Sequence, residues 1–93
     1  MMKPNFLSII TVCLNSEETI ISCLESVSNQ KFKNLEHIVI DGQSTDKTCE
    51  LVHHHMKNIN IKFISEPDNG IYEALNKGIQ LASGEIIGIL HAN

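Results

Sequence analysis

Four apolar runs in this chain each end on side chains that can hydrogen-bond or carry charge. These are Asn15, Asp41 followed by Gly42, Glu66 with Asp68, and His91 with Asn93. If the runs are parallel strands of one sheet, all of these groups reach the same edge, which is where open α/β sheets bind their ligands. Carboxylates at such an edge can accept hydrogen bonds from ribose hydroxyls or from the N–H of a uracil ring. An acidic rim facing a phosphorylated ligand would repel it unless a divalent cation lay between them. No G-x-G-x-x-G follows the first run and no G-x-x-x-x-G-K-[ST] occurs anywhere. A dinucleotide enzyme and a P-loop NTPase are therefore disfavoured.

The same residues have purely structural readings. Asn15 suits a helix N-cap. Ser44, Thr45 and Asp46 suit the start of a helix, and Glu66 and Asp68 suit a solvated turn. Asp41 follows an apolar strand with no capping duty visible nearby, so a ligand role and a structural role stand level there. His53, His54 and His55 point about 100° apart on a helix and cannot easily share one metal. They read as a solvated helix end.

The elements that must position these groups alternate along the chain. Leu7 to Leu14 (LSIITVCL) is an apolar run rich in β-branched residues and suits a strand buried on both faces. Asn15 and Ser16 stop it, Glu17 and Glu18 fall in a first helical turn, and Ile20, Leu24 and Val27 repeat at helical spacing up to about Gln30. Leu35 to Asp41 is a second strand, followed by a helix carrying Cys49, Val52 and Met56. Ile59 to Ser65 is a third strand, and Pro67-Asp68-Asn69-Gly70 is a turn. Ile71, Ala74, Leu75, Ile79 and Ala82 share one face of a third helix. Gly78 lies on that face as well, which predicts close approach to the sheet. Glu85 to Leu90 is a fourth strand, apolar enough to need cover on both sides. The fold class is α/β, a single domain over 1–93 with a Rossmann-like parallel sheet in β-α-β-α-β-α-β order and right-handed crossovers.

Composition narrows the partners. The formal charge is −4 and all seven basic residues are lysines spread along the chain, so no basic stripe exists and nucleic acid is not expected as a partner. Cys13, Cys23 and Cys49 lie inside apolar patterns, which reads as reduced core cysteines of a cytosolic protein. Phe6 to Leu14 lacks a small-residue cleavage site and runs into Glu17 and Glu18, so it reads as a strand rather than a signal peptide. No run approaches the length of a membrane span.

Three segments, SIITVCLN, VIDGQSTDKT and EPDNGIYEALNKGIQLASGE, resemble the family 2 glycosyltransferases, in order and at that family's spacing. The resemblance implies the first half of a GT-A fold. It implies transfer of a sugar from a nucleotide-diphosphate-sugar donor to a hydroxyl of an acceptor saccharide or lipid-linked saccharide, in cell-surface polysaccharide synthesis. The setting it implies is cytoplasmic, at the inner face of the membrane. Val12, Cys13, Leu14 and Asn15 would line the nucleotide pocket, Asp41 would contact the base or ribose, and Asn76 and Lys77 would sit near it. Gly42 stands where many relatives carry a second acid, which leaves base selectivity open.

The family's Asp-x-Asp element, which holds Mn²⁺ or Mg²⁺, aligns with His91-Ala92-Asn93. Imidazole can bind Mn²⁺, but Asn93 is a weak substitute for a carboxylate. The acceptor half and the catalytic base are expected downstream of Asn93. The chain is therefore expected to be the amino-terminal part of a longer enzyme and inert alone, and to self-associate through the sheet edge beside its fourth strand. The substituted acids equally suit a non-catalytic module that binds a nucleotide or a partner. A nucleotidyltransferase would need a glycine-rich, basic loop where CLNSEE stands, and a D-x-D-G-T phosphatase an acid two residues from Asp41.

Overall fold

The computed structural model describes residues 3–30, 34–56 and 61–92, apart from the side chains of residues 3 and 4. Seven elements follow in order: β1 (Lys3–Cys13), α1 (Ile20–Ser28), β2 (Leu35–Asp41), α2 (Thr48–His55), β3 (Ile61–Ser65), α3 (Ile71–Leu81) and β4 (Gly84–His91). The strands are parallel and stand side by side as β3-β2-β1-β4. The chain thus builds outward from β1 to β3, then crosses back to place β4 on the other side of β1. The order reverses at β1, which is the switch point where such sheets open a crevice.

Two aliphatic cores hold the layers together. On one face Ile20 and Leu24 of α1 and Val52 of α2 pack with Cys13, Val39 and Ile61. On the other, Ala74 of α3 meets Ile10, Val12, Ile38 and Ile40. Each fully buried Leu or Ile contributes about 1.5–3 kcal/mol. β2 lies between two strands and is buried from Glu36 to Asp41, as an apolar run in a parallel sheet requires.

Several boundaries differ from those the sequence predicts. The third strand is described from Ile61, and Ile59 and Asn60, with which the sequence reading starts it, lie outside the described residues. α1 starts only at Ile20, with Thr19 as its N-cap and no acid in its first turn. Asn15 is therefore not the cap, and Glu17 and Glu18 precede the helix. In α3 the buried positions are Ala74 and Gly78, while Ile71 and Ile79 are 40% and 43% exposed. The cause is at Gly78, where a Cβ would lie 2.5 Å from Ile10 Cγ2. Helix backbone rests directly on Ile10, so the two isoleucines flank the contact instead of filling it.

β4 is an edge strand among the described residues and exposes Ile86, Ile89 and Leu90. At the amino-terminal edge of the sheet, buried Glu36 ties neighbouring segments together. Its Oε2 accepts from Ser8 Oγ (2.7 Å), Ser83 N (2.7 Å) and Ser83 Oγ (2.8 Å), and its Oε1 pairs with Lys62 Nζ (2.8 Å). Burial alone would raise the pKa of Glu36, but Lys62, Ser8 and Ser83 outweigh it and draw it down to about 2.

Candidate functional site

Register brings the strand ends level at the opposite edge. Val12 pairs with His91, Cys13 with Asp41, and Asp41 with Ser65. The loops beyond are laced together by polar side chains. Asn15 N donates to Ser44 Oγ (2.8 Å), Ser16 N to Thr48 Oγ1 (2.8 Å) and Glu17 N to Asp46 Oδ2 (3.2 Å). In return Thr45 N donates to Asn15 Oδ1 (2.8 Å). Asn15 adopts φ +49°, a left-handed conformation that asparagine tolerates better than most residues. Its side chain braces the β2–α2 loop, which is why it is not available to cap α1. Asp46 does start α2, accepting from Thr48 N (3.0 Å) and Thr48 Oγ1 (2.6 Å). Thr19 Oγ1 donates to Ala92 O (2.5 Å) and pins the end of β4 to the start of α1.

Asp41 is fully buried and has the local duty that the sequence did not reveal. Its Oδ2 accepts from Ser44 N (2.8 Å), Ser65 Oγ (2.7 Å) and Cys49 Sγ (3.2 Å). Its Oδ1 accepts from Cys13 Sγ (3.4 Å) and from Ser44 Oγ. Burial would raise its pKa, but the Ser44, Ser65 and Cys49 donors outweigh it and hold the pKa below the usual value. Burial, and then the Asp41 charge, push the Cys13 thiol up, so it stays protonated and can donate.

A cleft of about 150 Å³ opens at the switch point, between the end of β1 and the start of α3. It is lined by Val12, Cys13, Leu14 and Gly42, by Asp68, Gly70, Ile71 and Ala74, and by His91. The turn that carries Asp68 is pinned to α3. Lys77 Nζ reaches Glu66 Oε1 (3.0 Å), Pro67 O (3.1 Å) and Glu73 Oε1 (3.7 Å). Hydrogen bonding to Glu66 raises the Lys77 pKa, so this ammonium stays charged.

Of the residues the resemblance points to, Val12, Cys13, Leu14 and His91 meet at the cleft. Asn15 belongs to the loop lacing, and Asp41 lies buried behind the wall. Lys77 holds the turn, Asn76 is exposed on α3, and Asn93 lies outside the described residues. Ser44 and Ser65, which hold Asp41, and Asp68, which lines the cleft, are positions to which the resemblance does not point. Ser65 was detectable, because it ends β3 in the same register at which Asp41 ends β2.

Among the described residues no group of three or more His, Cys, Asp or Glu side chains is disposed to hold a metal ion. Asp68 and His91, the cleft's described donors, are too few for a cation site of their own. His53, His54 and His55 occupy the last turn of α2, where His53 packs edge-on against Phe63 at 5.2 Å between centroids.

A parallel sheet with its cleft at the switch point defines a Rossmann-like α/β domain. Residues 8–92 match Glycosyl transferase family 2, and the chain belongs to that family. It is 34% identical over 95 residues to a PGL/p-HBAD biosynthesis glycosyltransferase of Mycobacterium bovis, covering 100% of this chain and 37% of that relative. It is 35% identical over 88 residues to a poly-beta-1,6-N-acetyl-D-glucosamine synthase of Staphylococcus epidermidis, covering 94% of this chain and 21% of that one. The chain therefore spans well under half the length of these relatives.

Two solved structures superpose closely. One is S. aureus TarS 1-349 in complex with UDP-GlcNAc, with a TM-score of 0.87 at 27% identity over 94% of this chain and 26% of the other. The second is the mannosyltransferase PcManGT from Pyrobaculum calidifontis in complex with GDP-Man and Mn²⁺. It also has a TM-score of 0.87 at 27% identity, over 92% and 27% of the respective chains. The sheet is thus the Rossmann-like part of a GT-A fold.

Proposed function

We propose that this chain binds and orients the nucleotide-diphosphate-sugar donor of a glycosyltransferase acting in cell-surface glycan synthesis. The observation that carries it is the switch-point cleft, which combines apolar Val12 and Leu14 with the Asp68 carboxylate. Apolar side chains suit the faces of a nucleoside base, and a carboxylate suits its N–H or the ribose hydroxyls. The named relatives and the nucleotide-sugar complexes of the two solved structures support the same reading.

In such a transfer the acceptor hydroxyl gives its proton to a base and its oxygen bonds to the anomeric carbon, as the bond to the diphosphate breaks and the diphosphate leaves with the electron pair. A fixed nucleotide holds that leaving group in line, and positioning is this chain's contribution. The acceptor is a saccharide or lipid-linked saccharide. The cytoplasmic setting is supported by three free thiols, and self-association by the exposed isoleucines and leucine of β4.

The test is an NMR titration of the chain with UDP, GDP and dTDP, with and without Mn²⁺. Binding is expected to move the amides of Leu14 and Gly42, and the Mn²⁺ arm reports whether a cation joins the complex. If no nucleotide perturbs either residue under any condition, the cleft is not a donor site.

A further inference from the structure

The cleft region contains two aspartates whose oxygens are in opposite states. Asp41 is buried, and its two oxygens already receive five donors from Cys13, Ser44, Cys49 and Ser65. Asp68 lines the cleft and is only half-buried. Its Oδ1 accepts from Gly70 N (3.1 Å), whereas its Oδ2 accepts no hydrogen bond among the described residues.

The free Oδ2 has a defined place. A Cβ built on Gly42 would lie 3.2 Å from it and 3.5 Å from Leu14 Cδ1. Gly42 is itself fixed, since its N–H donates to Cys13 O (3.0 Å). The bare backbone at 42 thus leaves room for the Asp68 oxygen to lean across beside the Leu14 side chain. Lys77 holds the turn from behind through Glu66 and Pro67. A carboxylate oxygen without a hydrogen bond, beside an apolar side chain and on a pinned turn, is an acceptor placed for a base N–H or a sugar O–H of a nucleoside.

We propose that Asp68, rather than Asp41, is the carboxylate that recognises the donor nucleoside, its Oδ2 accepting from a ribose hydroxyl or a base N–H. This rests on the cleft being the nucleotide site. Asp41 then acts as a positioning residue that holds the β2–α2 loop, and Gly42 is the residue that admits Asp68 to the cleft.

Asp68→Asn separates the two aspartates cleanly. The amide keeps an acceptor for Gly70 N, so the turn persists, but its other atom becomes a donor where Oδ2 had accepted. UDP binding to the full chain is expected to weaken roughly tenfold, the loss of one hydrogen bond to a charged group, with the thermal midpoint unchanged. Repeating the titration with 2′,3′-dideoxyuridine diphosphate identifies the partner. A gap between wild type and variant that vanishes assigns the ribose hydroxyls, and one that persists assigns the base N–H.

A second readout needs no variant: the Asp68 carboxyl carbon resonance should move when UDP is added to the wild-type chain. An unchanged affinity in Asp68→Asn, or an unmoved Asp68 resonance while UDP binds, overturns the assignment and leaves the nucleotide site standing. Absence of any nucleotide binding by the wild-type chain would instead defeat the donor-site reading itself.

Discussion

Strand β2 carries one buried carboxylate near its start and another at its end, and the two are satisfied in different ways. Glu36 faces a backbone N–H, two serine hydroxyls and the Lys62 ammonium, and it ties β1, β3 and the α3–β4 connection to one point. Asp41 faces one backbone N–H, two hydroxyls and two thiols. Hydroxyl and thiol hydrogens rotate, so four of the five Asp41 donors can turn to another acceptor, against two of the four at Glu36. The start of β2 is built to stay shut. Its end adjoins the cleft and is built from parts that can re-pair.

Acid separates these ends most strongly. His37, next to Glu36, is buried with Nε2 at 2.6 Å from Thr11 Oγ1 and Nδ1 unpartnered. Burial lowers its pKa from 6.5 to about 4. Between those values the unfolded chain binds the proton and the folded chain does not. Stability is therefore full above pH 6.5 and falls as pH drops to about 4, by on the order of 3 kcal/mol. Glu36 adds a second loss, because its folded pKa of about 2 lies below the ordinary 4.5. Its contribution is present above 4.5 and disappears as pH falls through 2. The thermal midpoint measured against pH should show the upper step, and His37→Gln should remove it. A flat profile from pH 7 to 4 would break the distinction.

The next effect is mutational. Glu36→Gln is expected to cost about 2–3 kcal/mol, as hydrogen bonds to a charged group are lost around a buried amide. Lys62 is 45% exposed and contributes little of this. Asp41→Asn should cost less, about 1 kcal/mol, because its donors can find other partners. Urea unfolding of both variants measures the difference. Equal losses would mean that the Asp41 network is as rigid as the Glu36 clamp.

The sequence carried the fold well and the site unevenly, for physical reasons. Apolar runs such as Leu35 to Asp41 and the helical spacing of Ile20, Leu24 and Val27 depend on local pattern, and the structure keeps them. What pattern could not show is which partner wins a polar side chain. Asn15 is a good cap by type, yet Thr45 N, thirty positions along the chain, takes its oxygen. Asp41 looked idle because its donors come from Cys13, Ser44, Cys49 and Ser65, and three of these lie on other elements. Gly78 predicts the close approach to the sheet that the structure shows, but hydrophobicity places Ile71 and Ile79 in that contact, where helix backbone rests on Ile10 instead. Glu36 gave no signal at all, since a charged residue near a strand start is usually exposed.

The most local effect tests the lacing at the cleft end directly. Asn15→Ala removes the acceptor of Thr45 N and also places alanine at a positive φ. The two losses together should cost about 1–2 kcal/mol. Asn15→Gly separates them, because glycine adopts the same φ without strain but still lacks the acceptor, leaving a loss of about 1 kcal/mol. Hydrogen exchange locates the damage. In both variants the Thr45 amide should exchange faster, while the Ser83 and Gly84 amides at the opposite edge, held by Glu36 and Ser8, should be unaffected. Faster exchange at both edges would mean that they open as one unit, and the contrast between the ends of β2 would not survive it.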